Sequence, residues 1–265
     1  MKTIVITGST DGIGKLTALK LAKDKHQILI HGRNQAKIDQ TVQGLINDSK
    51  NELIKGVCAD LSDFDSIKKM TSQMVETLSE VDVLINNAGV FKSPVEHNAD
   101  NLDIRFAVNL LAPYLLTQQL LPLLKKSNAS RVINLSSAAQ SAVELDALEG
   151  KKTLSAQEAY AQSKLALTMW SFYLARKYDY LNVIAVNPGS LLNTRMVQEA
   201  YGQYWSSADK GARILYELAV SENYSSSSGK YFDNDSGVFA NAHGDAYDIQ
   251  KIQALVDKMN EIVQH

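Results

Sequence analysis

The stretch Thr3-Ile4-Val5-Ile6-Thr7-Gly8-Ser9-Thr10-Asp11-Gly12-Ile13-Gly14 decides how the rest of the chain is read. Thr3–Thr7 is a short, nearly continuous β-branched run, as in a strand buried on both faces. Ile13–Lys23 then places Ile13, Leu16, Leu19 and Leu21/Ala22 toward one side, which is a helical spacing. Between strand and helix lie Gly8, Gly12 and Gly14. Glycines there permit a tight turn and let backbone N–H groups approach a phosphate, and the helix N-terminus adds a favourable field. A glycine triplet alone is only a turn; the strand before it and the helix after it make a dinucleotide loop the expectation.

The same alternation continues outward. Gln27–His31, Glu52–Cys58, Val81–Ile85, Arg131–Leu135 and Asn182–Val186 read as strands, and Lys230–Phe232 as a weak last one. Asp63–Leu78, Leu102–Lys125, Ala156–Tyr178, Ala208–Val220 and Ala246–Val263 carry helical patterns. Pro113 and Pro122 predict a kink or break in the long fourth segment. Ser225–Gly229 reads as a loop. The pattern predicts an α/β fold: one doubly wound Rossmann-type domain over residues 1–265, its mostly parallel sheet of about seven strands flanked by helices on both faces.

Composition narrows the function. With 265 residues, 45% hydrophobic and 21% charged, the chain is long and apolar enough for a core. Lys+Arg 27 against Asp+Glu 29 argues against a dedicated nucleic-acid or anionic-membrane binder. The lone Cys58 allows no intrachain disulfide and reads as a small core residue. No apolar run reaches the roughly 18 residues a membrane span needs, and the N-terminal apolar run is too short for a signal peptide. A cytoplasmic protein is expected. His31, His97, His243 and His265 are scattered without metal-ligand spacing, His26 reads as a turn residue, and no metal is expected.

Two further stretches carry chemistry. His31-Gly32-Arg33-Asn34 ends the second strand, where a dinucleotide fold meets the adenosine ribose. A carboxylate there favours NAD through the 2′-hydroxyl; an arginine accommodates a 2′-phosphate. Arg33 therefore points to NADP(H), with NAD(H) possible, although an arginine at a strand end is also simply solvated. Lys37 could assist or be a surface lysine. Tyr160-Ala161-Gln162-Ser163-Lys164 puts a phenol and an ammonium on one helix face. The ammonium stabilises the phenolate, and a tyrosine so tuned can protonate a carbonyl oxygen or deprotonate an alcohol.

With these residues in place, the sequence resembles the short-chain dehydrogenase/reductase family over essentially its whole length. Thr7–Gly14 matches the family's Thr-Gly-x-x-x-Gly-x-Gly loop, with Gly8, Ser9, Thr10, Gly12, Ile13 and Gly14 as implied cofactor contacts. Arg33 and Asn34, Asp60 and Leu61 after the third strand, and Asn87, Ala88 and Gly89 of Asn-Asn-Ala-Gly after the fourth are implied to join them. Pro188 and Gly189 match the turn after the sixth strand. The resemblance implies Tyr160 as general acid/base and Lys164 as the group that lowers its pKa and binds the nicotinamide ribose. It implies Ser137 as the serine that orients the substrate oxygen and Asn109 as support for a water-linked relay to Lys164. The activity implied is hydride transfer between NADP(H) and a carbonyl or alcohol. Two rivals are a dinucleotide sensor without turnover and, from a longer branch, a sugar-nucleotide epimerase or dehydratase.

Two departures stand out. Ala138–Ser155 is longer than in compact members and carries Glu144, Asp146, Glu149, Lys151 and Lys152. With Gly229-Lys230-Tyr231-Phe232 and the final amphipathic helix, it resembles the retinol-dehydrogenase-like and protochlorophyllide-reductase-like branches. In Pro188–Thr194 the threonine stands one residue further from the glycine than usual, which leaves a phosphate contact by Thr194 open. Ser190–Ser207 is expected to form a substrate flap. Its Leu191, Leu192, Met196, Val197, Tyr201, Tyr204 and Trp205 suit a substrate with hydrophobic surface, or pack the flap on its own domain. Arg195 could pair with an anionic group or stay solvated. Trp170, Phe172 and Tyr173 fit either a homo-oligomer interface or the core.

Overall fold

The computed structural model describes residues 1–264, and at Ala200 and Tyr201 the backbone only. The Tyr201 side chain and His265, both named above, lie outside the described residues. The strands are β1 (Thr3–Ile6), β2 (Gln27–Gly32), β3 (Ile54–Cys58), β4 (Val83–Asn86), β5 (Arg131–Leu135), β6 (Asn182–Asn187), β7 (Lys230–Asp233) and β8 (Val238–Ala240). They form one sheet in the order β3-β2-β1-β4-β5-β6-β7-β8. All neighbours are parallel except β8, which pairs antiparallel with β7. The eighth strand is the difference from the expected seven. Val238–Ala240 is three residues long and only half covered, so it carries no apolar run to read.

The alternating pleat builds two cores. Ile4 and Ile6 of β1 face the side covered by α1 (Gly12–Lys23), α2 (Gln35–Ser49) and α9 (Ala208–Val220). Val5 faces the side covered by α3 (Phe64–Thr77), the helical run 104–124 and α7 (Ala156–Lys177). Helix α2 has no counterpart in the sequence reading: Asn34 caps its start, accepting the Lys37 N–H at 2.9 Å, but only Ile38, Thr41, Leu45 and Ser49 are buried. Its inner stripe is thus half polar and conceals the helical period. Cys58, expected in the core, is exposed, because β3 is an edge strand.

The long helical run is α4 (Ile104–Phe106), a π turn (Ala107–Leu111) and α5 (Ala112–Leu124). The expected irregularity is therefore present, but it precedes Pro113. An α-helical register would ask the residue four beyond Asn109 to donate to the Asn109 carbonyl, and that residue is Pro113, which has no N–H. The Ala112 N–H bonds the Ala107 carbonyl instead, in the π register. This run corrects a second expectation. Among the described residues, Ile104–Leu124 is the one helix long and apolar enough to cross a bilayer by composition, yet 78% of its apolar window is buried inside the protein.

The remaining elements are α6 (Leu145–Leu148), α8 (Arg195–Tyr201) and α10 (Ile249–Gln264). Helix α10 lays Ile252, Leu255, Val256 and Met259 into the second core. The Tyr114 hydroxyl of α5 bonds Asn260 of α10, and Lys258 reaches Glu149 of the 138–155 segment at 3.0 Å. That segment is itself anchored, with Ala147 and Leu148 fully buried. Trp170 and Phe172 are buried within this one chain, and Tyr247 packs on Phe172 at 5.4 Å between ring centres. Core packing accounts for them.

Candidate active site

Strand order reverses between β1 and β4, and a parallel sheet opens a crevice beyond the strand ends at such a switch. The glycine loop leaves β1 there and Asn87–Gly89 leaves β4. A cleft of about 1000 Å³ runs along these ends. It brings together Gly8, Thr10, Gly12, Ile13, Gly14, Arg33, Asp60, Leu61, Asn87, Ala88, Gly89, Tyr160, Lys164 and Pro188. Ser9, Asn34, Asn109, Ser137 and Gly189, also read from the sequence, lie outside its lining.

The glycine loop is held from three sides. Gly8 has φ +62°, and a Cβ there would stand 2.8 Å from the Ala88 Cα, so only glycine lets the two loops meet. Thr7 Oγ1 accepts the N–H groups of Asn87 and Ala88, each at 3.0 Å. Asn87 Nδ2 donates back to the Thr7 and Gly8 carbonyls at 2.8 and 3.0 Å. Ser9 is fully buried: its hydroxyl bonds the Ile6 carbonyl and accepts the His31 N–H, and its own N–H goes to the His31 carbonyl. The Ser9 hydroxyl thus braces the loop against β2. Asn34 is likewise occupied with capping α2.

His31 is the residue the sequence reading missed here. Its Nδ1 accepts the Gly8 N–H at 3.1 Å and its Nε2 donates to the Ala59 carbonyl at 3.1 Å. The two partners fix the tautomer. Burial pushes its pKa down to about 4, so the ring is neutral near pH 7. One neutral imidazole thereby joins the glycine loop to the ends of β2 and β3. The available signal was a histidine inside an otherwise apolar central strand, where both ring nitrogens need partners.

At the ribose end Arg33 is exposed on the cleft's lip. Lys37 pairs with Asp11 at 2.9 Å, and that hydrogen bond holds the Asp11 carboxyl below its usual range. Asp11 also caps α1, accepting the Gly12 N–H at 2.8 Å. Asp60 is turned onto Ser62, accepting from its N–H and its hydroxyl. A glycine cradle at a helix N-terminus and a cationic lip fit a nicotinamide dinucleotide phosphate.

At the other end Lys164 is buried, its Nζ donating to the Leu135 carbonyl at 2.7 Å and lying 5.6 Å from the Tyr160 ring centre. Burial pulls its pKa down to about 8. Phe91 meets the Tyr160 ring edge-on, 5.0 Å between centres and 88° between planes. A methyl on Gly89 would stand 3.3 Å from Asn109 Oδ1 and 3.4 Å from Lys164 Nζ, so this glycine makes room for both. Asn109 is fully buried. Its Oδ1 accepts the Val90 N–H at 2.7 Å, and its Nδ2 donates to the Val90 carbonyl and to Ser163 Oγ. Its side chain pins the loop after β4. Arg105, also missed, is buried and holds the same loop, donating to the Phe91 carbonyl at 2.9 Å and pairing with Glu96 at 2.6 Å.

Of the two serines ending β5, Ser136 turns inward onto the Lys164 carbonyl and Thr168, while Ser137 stays half-buried at the strand end. The stretch expected to form a flap, Ser190–Ser207, is tied at its start to the turn between β7 and β8. Asp235 accepts from the Ser190 N–H at 2.8 Å and from Asn187 Nδ2 at 2.9 Å, and Asn234 donates to the Pro188 carbonyl. The extra residue before Thr194 is accommodated by left-handed backbone at Leu191, φ +45°. Thr194 caps α8 and stands over Gly12, lining the cleft. Of the apolar residues there, Met196 lines the cleft; Leu192 is buried between Gly189 and Gly211 of α9, and Tyr204 and Trp205 point outward, Trp205 being 74% exposed. Arg195 pairs with Glu199 at 2.6 Å. Among the described residues no group of His, Cys, Asp or Glu is arranged to hold a metal.

A doubly wound sheet with this loop and this phenol–ammonium pair defines a dinucleotide-dependent oxidoreductase. Residues 2–205 match the short chain dehydrogenase family, and the chain belongs to that family. It is 34% identical to human retinol dehydrogenase 13 over 252 residues, covering 88% of this chain and 76% of the relative. It is 31% identical to human polyprenol dehydrogenase over 254 residues, covering 88% and 77%. Among solved structures, a protein from Mycobacterium paratuberculosis superposes with TM-score 0.82 at 25% identity, covering 100% of this chain and 94% of that one. A short chain dehydrogenase from Shigella flexneri, solved with NADP, has TM-score 0.71 at 26% identity, covering 88% and 96%. The protein is an NAD(P)-dependent dehydrogenase of this family acting on CH–OH donors.

Proposed function

We propose that the chain interconverts an apolar alcohol and its carbonyl compound with NADP(H), with Tyr160 as general acid/base. The observation that carries this is the buried Lys164 ammonium beside the Tyr160 ring, in the cleft that also holds the glycine loop. A bound nicotinamide dinucleotide supplies or accepts the hydride. Tyr160 gives a proton to the carbonyl oxygen in reduction and takes it from the alcohol in oxidation. The Lys164 charge favours the phenolate through which both directions pass. Ser137 donates its hydroxyl to the substrate oxygen. The Asn109 carbonyl, denied its α-register donor by Pro113, is the acceptor for a water that relays protons to Lys164.

NADP preference rests on Arg33 at the lip, on Lys37 beside it, and on the neighbour solved with NADP. An apolar substrate is supported by Phe91, Pro94, Val95 and Met196 in the cleft wall and by relatives named for retinol and polyprenol. The test is NADPH oxidation at 340 nm against a panel of aldehydes and ketones of rising apolar length, with NADH and Tyr160→Phe alongside. Turnover by wild type with NADPH, lost in Tyr160→Phe while NADPH still binds, is the expected result. Equal turnover by both proteins would overturn the role of Tyr160. Tight NADPH binding with no turnover on any substrate would favour a dinucleotide sensor.

A further inference from the structure

We propose that Tyr231 and Gln140 clamp the Ser137 peptide, and that Tyr231 is a positioning residue for the reaction; this rests on the functional reading above. The Ser137 carbonyl accepts two hydrogen bonds, from the Tyr231 hydroxyl and from Gln140 Nε2, each at 3.0 Å. A carbonyl has two lone pairs, and both are taken. The peptide plane after Ser137 is therefore fixed from two sides. Ser137 Oγ in turn accepts the Ala139 N–H at 3.1 Å, which leaves its O–H as a donor. A hydroxyl that already accepts a bond is also the stronger donor.

Tyr231 reaches Ser137 from two strands away. Asn134, Ala185 and Tyr231 stand side by side in register across β5, β6 and β7. The small side chain of Ala185 lets the Tyr231 ring lie over β6 toward the end of β5. That ring is 5% exposed, and burial raises the phenol's pKa, so it remains a donor. Gln140 is held in turn, its Oε1 accepting the His243 N–H at 3.0 Å. The clamp thus draws on three parts the hydride chemistry leaves unexplained: the 138–155 segment, the Gly229–Phe232 stretch and the chain leading into α10.

A buried tyrosine hydroxyl could simply be satisfied there, so the test must see Ser137. Tyr231→Phe keeps the ring and removes only the donor. Its kcat should fall about fivefold, the worth of one neutral hydrogen bond, with the NADPH Kd unchanged. Added to Ser137→Ala, the same substitution should cost nothing further, because two changes acting through one group are not additive. If multiple turnover in that background is too slow, a single turnover of bound NADPH with enzyme in excess reads the same cycle. An unaltered kcat in Tyr231→Phe, or an equal loss in both backgrounds, would overturn the clamp. Full turnover by Tyr160→Phe would instead remove the functional reading itself.

Discussion

Asp11 answers two demands at once. It caps α1 and holds Lys37 in an ion pair on the cleft wall. Asparagine caps a helix as well as aspartate does, so Asp11→Asn keeps the helix while freeing Lys37 and removing a negative charge from the phosphate end. NADPH should bind about threefold tighter, a typical worth for an exposed charge pair, with NADH changed less. Arg33→Asp should reverse the preference. Isothermal titration with both cofactors measures each. Lys164 sets a second expectation. With its pKa near 8, it is charged below that pH and neutral above it. The support it gives the phenolate is lost as pH rises through 8, so kcat/KM for reduction should decline on that limb. Lys164→Arg, charged throughout, should move the decline upward at some cost in rate, because the guanidinium does not reproduce the ammonium's bond to Leu135. A pH–rate profile of both proteins decides it.

Among the elements, the π turn at Ala107–Leu111 links a sequence feature to chemistry. Pro113 withholds the donor that would close an α register on the Asn109 carbonyl. Pro113→Ala restores that donor, which then competes with the relay water. Thermal stability should hold or rise, since an interior proline is no longer interrupting the helix, while kcat falls several-fold. Unchanged kcat at raised stability would show that the carbonyl has no part in the relay. The glycine loop shows the opposite relation: its geometry comes from neighbours. Thr7, Asn87, Ser9 and His31 all bond the loop or its flanks, and three of these four are more than 90% buried.

For the molecule as a whole, α10 is the deciding piece. It packs on α7, ties to α5 through Asn260, and reaches the 138–155 segment through Lys258. A face already buried within the chain has no apolar area left for a second copy. The full chain is expected not to self-associate through this face, and a chain ending at Asp248 to do so once it is uncovered. Size exclusion with light scattering on both tests this; a full-length dimer that dissociates on Trp170→Ala would refute it.

Read alone, the sequence determined the sheet's parallel core, the loop after β1, the site after β4 and the Tyr160–Lys164 pair. Each is encoded locally: a β-branched run, glycines between strand and helix, two residues four apart on one helix. It did not show α2, whose buried stripe is half polar, nor β8, whose three residues have no pattern. Ser9 and Asn34 stand in motifs that imply cofactor contacts, and their side-chain hydrogen bonds add bracing and capping that the motifs do not reveal. Arg105, Tyr231, Asp235 and the partners of His31 became legible only in three dimensions. Each of these side chains acts on backbone atoms 14 to 94 positions away, or in the case of Asp235 45 positions away. No local period or spacing carries such a contact. It exists only once the sheet has brought the strand ends together, and there the need to satisfy buried polar groups decides which side chain meets which carbonyl.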